Sequence, residues 1–184
     1  MTGARYCETA AASTDEAATI ADLFAQCFAD SEGPDEGAMI GALVATLLAS
    51  PADQRRVFVA HDGGALVGGV VFTPLHFAGD ARRVMLLSPM AVATAHQGRG
   101  LGQGLIRHAL STLRAQGVDV AVTYGDPAFY GRTGFRPVTT DDVPSPQPLN
   151  MPQGWIAQSL DGAHLAPLPG PCTCHPAFND PALW

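Results

Sequence analysis

Apolar residues at Ile20, Leu23, Phe24 and Cys27 recur at spacings of three and four, the period of one helical face. They predict a helix over Asp15–Phe28, with Thr14 or Asp15 as its cap. The run Asp30-Ser31-Glu32-Gly33-Pro34 is polar and helix-breaking, and predicts a loop. A second helix is expected over Asp35–Ala49, stopping at Ser50-Pro51. It is apolar over much of its surface, so it should be well buried. The period then changes. Arg56–His61 and Ala65–Phe77 have strand character, and Asp62-Gly63-Gly64 between them is hairpin-turn chemistry. A short strand is expected earlier, over Arg5–Glu8. Arg83–Thr94 predicts another, with Pro89 inside it. Proline removes a ladder donor, so a bulge or an unpaired edge is expected near Ser88–Met90.

A glycine-rich segment, Gln97 to Gly104, leads into a helix expected over Leu105–Gln116. Its buried face is predicted to be Leu101, Leu105, Ile106, Ala109 and Leu113, with Gly117 at the C-cap. Val118–Thr123 is an apolar strand. Gly125-Asp126-Pro127 opens a short helix that Gly134 ends. Beyond Arg136 the composition shifts, with Pro137, Pro144, Pro146, Pro148 and Pro152 in a polar stretch. That stretch is a linker or an ordered loop. Trp155–Leu160 returns as a strand, and a Pro-rich tail follows the Asp161-Gly162 turn. An antiparallel hairpin before a strand–helix–strand unit indicates an α+β, mixed-sheet fold.

Composition narrows the function classes. With 184 residues the chain suits one domain and can bury roughly 70% of its unfolded surface. We expect residues 1–137 to form the core and residues 138–184 a Pro-rich extension of the same domain. Ten basic against 17 acidic residues leave a net charge of −7. With no basic run, nucleic acid is a poor partner and a cationic substrate a better one. All ten basic residues are Arg, which excludes a catalytic lysine. The longest apolar stretches, Ala42–Ala49 and Ala65–Phe72, fall well short of the roughly 20 residues of a membrane-spanning helix. Met1–Glu8 has no export-signal pattern, and four Cys are too sparse for a disulfide scaffold. The expectation is a cytoplasmic protein, monomeric or homodimeric, without membrane or nucleic-acid partners.

The glycine segment carries the main chemical signal. Between an apolar strand and a helix, glycines let the backbone turn sharply and approach a ligand. The helix start adds free N–H groups and the positive end of the dipole, which suit a phosphate or pyrophosphate. The dinucleotide fingerprint fails, because the sixth positions from Gly98, Gly100 and Gly102 are Gln103, Leu105 and Arg107. A nucleotide-triphosphate loop needs a Lys that the chain lacks.

Gln97-Gly98-Arg99-Gly100-Leu101-Gly102 instead resembles the pyrophosphate loop of the GNAT N-acetyltransferase superfamily, Gln/Arg-x-x-Gly-x-Gly/Ala. Ser88-Pro89-Met90-Ala91-Val92 resembles that family's fourth strand, which runs beside the pantetheine arm. Gly125-Asp126-Pro127-Ala128-Phe129-Tyr130-Gly131-Arg132-Thr133-Gly134-Phe135 resembles the segment around its catalytic tyrosine. The Gly-Asp-Pro start, the Arg-x-Gly-Phe end and the tail Cys174-His175-Pro176-Ala177-Phe178 are similar to the YhbS-like branch. The resemblance implies a central twisted mixed sheet, flanked by helices and splayed at the cofactor site, with acetyl-CoA as cosubstrate. It implies cofactor contacts at Met90, Ala91, Val92, Gln97, Gly98, Arg99, Gly100, Leu101, Gly102, Asp126 and Phe129.

The implied reaction is direct attack of a primary amine on the thioester, with a small-molecule amine favoured. A peptide or protein N-acetyltransferase, or a non-catalytic acyl-CoA-binding module, is the alternative. Tyr130 is the expected general acid, since a phenol is protonated at neutral pH and can donate to a departing sulfur. Val84–Val92 contains no acid, so the base candidates are Asp30, Glu32, Glu36 and His76. Asp126 also suits a turn or cap, and Arg99 and Arg132 could meet phosphates. Cys172-Thr173-Cys174-His175 offers three possible metal ligands but no second cluster to close a site, so no metal is expected.

Overall fold

The computed structural model describes residues 3–11 and 13–184. Met1, Thr2 and Ala12 are outside it, so the N-terminal reading of Met1–Glu8 falls partly beyond the described residues. The chain forms two compact units, one of Met1–Phe72 with Pro89–Ala109, the other of Thr73–Ser88 with Leu110–Trp184. The elements are β1 (Arg5–Thr9), α1 (Thr14–Glu32), α2 (Pro34–Ala49), β2 (Arg56–Asp62), β3 (Ala65–Phe77), β4 (Val84–Val92), α3 (Leu101–Ala115), β5 (Val120–Tyr124), α4 (Pro127–Tyr130), β6 (Arg136–Pro137), β7 (Trp155–Ser159) and β8 (Cys172–Thr173). Strands hydrogen-bond in the order β1-β2-β3-β4-β5-β7-β6, with β8 on β3. The fold is thus mixed α/β with an open mixed sheet. β3 and β4 each contribute residues to both units. Among the described residues, no helix is long and apolar enough to cross a membrane.

In the first unit β1 pairs antiparallel with β2, and β2 with β3. Gly63 and Gly64 at the hairpin tip have φ of +58° and +87°, the left-handed pair that a two-residue hairpin turn requires. Phe24 of α1 reaches this sheet. A Cβ on Gly69 would lie 2.7 Å from its ring, so a bare glycine in the strand admits the helix.

α1 differs from the expected helix at both ends. Its cap is Ser13, whose Oγ accepts the N–H of Glu16. Its body runs through Asp30-Ser31-Glu32 to Glu32, so the expected five-residue loop is the single residue Gly33, with φ +104°. Asp, Ser and Glu cost a helix only tenths of a kcal/mol. The break therefore comes where glycine permits the turn and Pro34 opens the next helix. α2 buries Ile40, Leu43, Val44, Leu47 and Leu48 but leaves Ala38, Met39, Ala42 and Ala45 exposed. It is less fully covered than its apolar composition implied.

The two helices cross closely at Gly37. A Cβ there would stand 2.5 Å from the Ala25 carbonyl oxygen and 2.6 Å from the Ala29 Cβ. Gly37→Ala sets two effects against each other. Helix propensity favours alanine by about 1 kcal/mol, while overpacking against immovable backbone costs about 1–3 kcal/mol. The clash wins, and a lower melting temperature is expected for Gly37→Ala; an unchanged or raised value would contradict this crossing. Arg55, almost fully buried, closes the same unit by donating to the carbonyls of Ser50 and Ala10.

In the second unit β4 pairs parallel with β5 from Val84↔Val120 to Leu87↔Thr123. β5 pairs antiparallel with β7, and β7 with β6. The register of β4 with β5 ends one residue before Ser88-Pro89, where an unpaired edge was expected. Gly117, φ +83°, ends α3 with N–H bonds from Gly117 to Arg114 and from Val118 to Leu113. The C-terminal segment packs through its tryptophans. Trp184 stacks on Tyr124 and donates its indole N–H to the Phe178 carbonyl, and Trp155 donates to Val143.

Candidate functional site

In the first unit β4 delivers the chain into the glycine loop. Ala93 N–H is bonded to Val67 of β3, and a short helical turn, Thr94–His96, follows. Gln97 folds its side chain back, Nε2 donating to the Val92 carbonyl at 3.0 Å. Its side chain therefore fixes the loop's exit from the strand. Gly98 and Gly100 have φ of +74° and +76°, and a Cβ on either would meet nothing within 4 Å. Glycine is needed here for backbone conformation, and the space above it is open.

α3 starts at Leu101, four residues earlier than expected. Leu101 and Gly102 thus belong to the helix, and Gly104 N–H makes a 2.9 Å bond to Gly100. The first-turn amides of Leu101, Gly102 and Gln103 precede that bond, as in any helix N-terminus. Gly104 has a different purpose. A Cβ on it would sit 2.2 Å from the Tyr6 hydroxyl, so it makes room for β1. Met90 and Val92 are half-buried, Ala91 is buried, and Arg99 is exposed.

Tyr130 stands in the second unit, at the end of α4. Asp126 caps this helix, its carboxylate accepting the Ala128 N–H at 2.9 Å. The cap uses one of its two carboxylate oxygens. The Tyr130 ring lies on Gly125, where a Cβ would be 2.7 Å from Cε2. Phe129 and Phe135 meet it edge-on, with ring centroids 5.0 and 5.8 Å away. Burial pushes the phenol up to about 12. A hydrogen bond with Thr123 pulls the other way, and the Asp126 charge adds to the rise. Thr123 is itself buried and donates its hydroxyl to the Leu87 carbonyl at 2.8 Å. Nothing local in the sequence marks it, because its partner is 36 residues away.

Among the base candidates, Asp30 accepts from Thr94 Oγ1 at 2.6 Å and from Gln26 Nε2 at 2.7 Å. These bonds, Thr94 first, hold its carboxyl below the usual range, which makes it a poor base. Glu32 and His76 are exposed and Glu36 is half-buried. Burial raises both the Cys172 thiol, to about 12, and the Cys174 thiol. His175 uses Nδ1 to accept the Ala177 N–H. Among the described residues no three His, Cys, Asp or Glu side chains converge as a metal site would require.

Residues 8–138 match the model of the acetyltransferase (GNAT) domain family. The chain is 36% identical over 78 residues to the uncharacterized N-acetyltransferase YjhQ of Escherichia coli K12, covering 41% of this chain and 43% of that protein. It thus spans less than half the length of that curated relative. The crystal structure of E. coli YhbS, a GNAT family N-acetyltransferase in complex with CoA, superposes with a TM-score of 0.74 at 25% identity, covering 96% of this chain and 92% of that one. A GNAT family acetyltransferase from Brucella melitensis, in complex with acetyl-CoA, has a TM-score of 0.70 at 23% identity, covering 97% and 100%. The second likeness speaks to the fold alone.

Proposed function

The chain belongs to the GNAT acetyltransferase family, and on that premise we propose that it transfers an acetyl group from acetyl-CoA to a primary amine, with small-molecule amines favoured. The observation that carries this reading is the loop: two left-handed glycines at the head of α3, fixed to β4 through Gln97. Such a loop presents backbone N–H groups at the positive end of a helix, the chemistry of a pyrophosphate seat. Residues 1–137 are the catalytic core on this reading and residues 138–184 its extension, in keeping with a family match that ends at residue 138.

The amine nitrogen attacks the thioester carbonyl carbon, the C–N bond forms, and the C–S bond then breaks with its electron pair going to sulfur. Overall, one proton passes from nitrogen to sulfur. We assign stabilisation of the carbonyl oxygen to the backbone of Met90–Val92, and the donor to the departing sulfur to Tyr130. The phenol at about 12 is a weaker acid than a thiol near 8.5, so complete transfer from it would cost roughly 5 kcal/mol. Tyr130 therefore acts first as a hydrogen-bond donor to the charge growing on sulfur. The ammonium formed on attack supplies the net proton.

This assignment has a pH signature. The group must be protonated to act, and its pKa is raised, so its contribution persists above neutrality and fades only towards pH 12. At pH 10 the phenol is still mostly protonated, where an ordinary one would be about half ionised. We expect kcat to show no descending limb from this group between pH 7 and 10. A limb centred near pH 10 that disappears in Tyr130→Phe would contradict it. The function itself is tested by incubating the protein with acetyl-CoA and a panel of primary amines. Amine-dependent release of free thiol is expected; a rate no higher than hydrolysis across the panel would refute transferase activity.

A further inference from the structure

The connector between β4 and the glycine loop is tied to β3 by the Ala93 N–H, bonded to Val67 at 2.8 Å, and beyond that bonds mainly to itself among the described residues. The His96 N–H bonds to Ala93 at 2.7 Å and the Gln97 N–H to Thr94 at 3.3 Å. The Gln97 side chain returns to Val92. One strong side-chain bond reaches outward to a helix, from Thr94 Oγ1 to Asp30 Oδ2 of α1 at 2.6 Å. His96 Nε2 also faces Asp62 at the hairpin tip, but at 3.9 Å, beyond hydrogen-bond length.

Asp30 is well prepared for this contact. Its other oxygen accepts Gln26 Nε2, four residues earlier on the same helix, at 2.7 Å. Both oxygens thus accept a hydrogen bond. α1 is in turn locked against α2, whose Gly37 leaves no spare room beside Ala25 and Ala29. A hydrogen bond to an ionised acceptor is among the stronger ones. The connector is therefore tied to β3 by the Ala93 amide and to a packed helix pair by the short Thr94–Asp30 bond.

The sign of the charge decides what that bond can do. A carboxylate close to an anion-binding loop repels a phosphate, so Asp30 cannot help by direct attraction. Any help must come through geometry. We infer that Asp30 and Thr94 are a positioning pair that holds the glycine loop in its phosphate-binding conformation. This rests on reading the loop as the pyrophosphate seat.

Thr94→Val isolates the geometric effect, because it removes the donor and leaves the charge of Asp30 in place. Calorimetric titrations with CoA and with pantetheine, which lacks the phosphates, separate loop positioning from general damage. Thr94→Val should weaken CoA about tenfold and pantetheine less than about twofold, and Thr94→Ser should restore wild-type affinity. In an Asp30→Ala background the Thr94→Val change should have no further effect, as expected of one coupled pair. Equal CoA affinity for Thr94→Val and wild type would overturn the inference. So would equal losses for CoA and pantetheine, or an undiminished effect in the Asp30→Ala background. Wild-type protein that does not bind CoA would instead overturn the function on which the inference rests.

Discussion

Tyr130→Phe is expected to lower kcat about 100-fold, the lower range for a positioned proton donor, while the Kd for CoA stays within about twofold of wild type. The substitution is nearly isosteric. The ring keeps its seat on Gly125 and its edge contacts with Phe129 and Phe135. Thr123 loses one partner but still donates to Leu87, so the stability cost should be about 1 kcal/mol. Steady-state kinetics with a responsive amine, together with CoA titration of the same preparation, separate the two effects. A kcat within about threefold of wild type would remove Tyr130 from the chemistry, since positioned donors contribute far more. A parallel loss of CoA affinity would make it a binding residue instead.

The second large effect is expected in the loop. Gly100→Glu should weaken CoA more than about 100-fold, because two penalties act together. A side chain at φ +76° costs about 1–2 kcal/mol, and the new carboxylate points negative charge into the space proposed for the phosphates. Gly98→Ala, at φ +74°, carries the strain alone and should lose only about 10-fold. The comparison separates conformation from charge. Retention of wild-type affinity by Gly100→Glu would remove the loop from CoA recognition.

The features legible in the sequence are those encoded by neighbours along the chain. The hairpin turn at Gly63-Gly64, the Gly117 cap and the short helix between Asp126 and Gly134 each follow from a few adjacent residues. Both the loop and the Tyr130 segment were recognisable as motifs for the same reason. Features set by distant partners were not. β8 consists of two residues and exists because it pairs with His76 and Phe77 of β3. Thr94 and Asp30 are 64 residues apart, and neither has an unusual local context. Gly104 looked like part of a phosphate-binding run, yet its Cβ position is taken by Tyr6, almost a hundred residues earlier. The errors at α1 have another origin. Polar residues mark loops only as a correlation, and Asp30-Ser31-Glu32 remain helical because nothing before Gly33 breaks the backbone pattern.

The Asp30 result also changes the electrostatic picture. From the sequence it was one of several acids near a break between helices. In the structure it is tied to the connector by Thr94 and held ionised. An acid so occupied is unsuited to taking a proton from an amine, and its charge remains near the loop at neutral pH.

The most direct test of the whole account is calorimetric titration of the wild-type protein with CoA, acetyl-CoA and NADH. Saturable one-site binding of the two CoA species, with no heat from NADH, is the predicted result. Folded protein that binds neither CoA species would contradict the assignment of the glycine loop, and the acetyltransferase reading would fall with it.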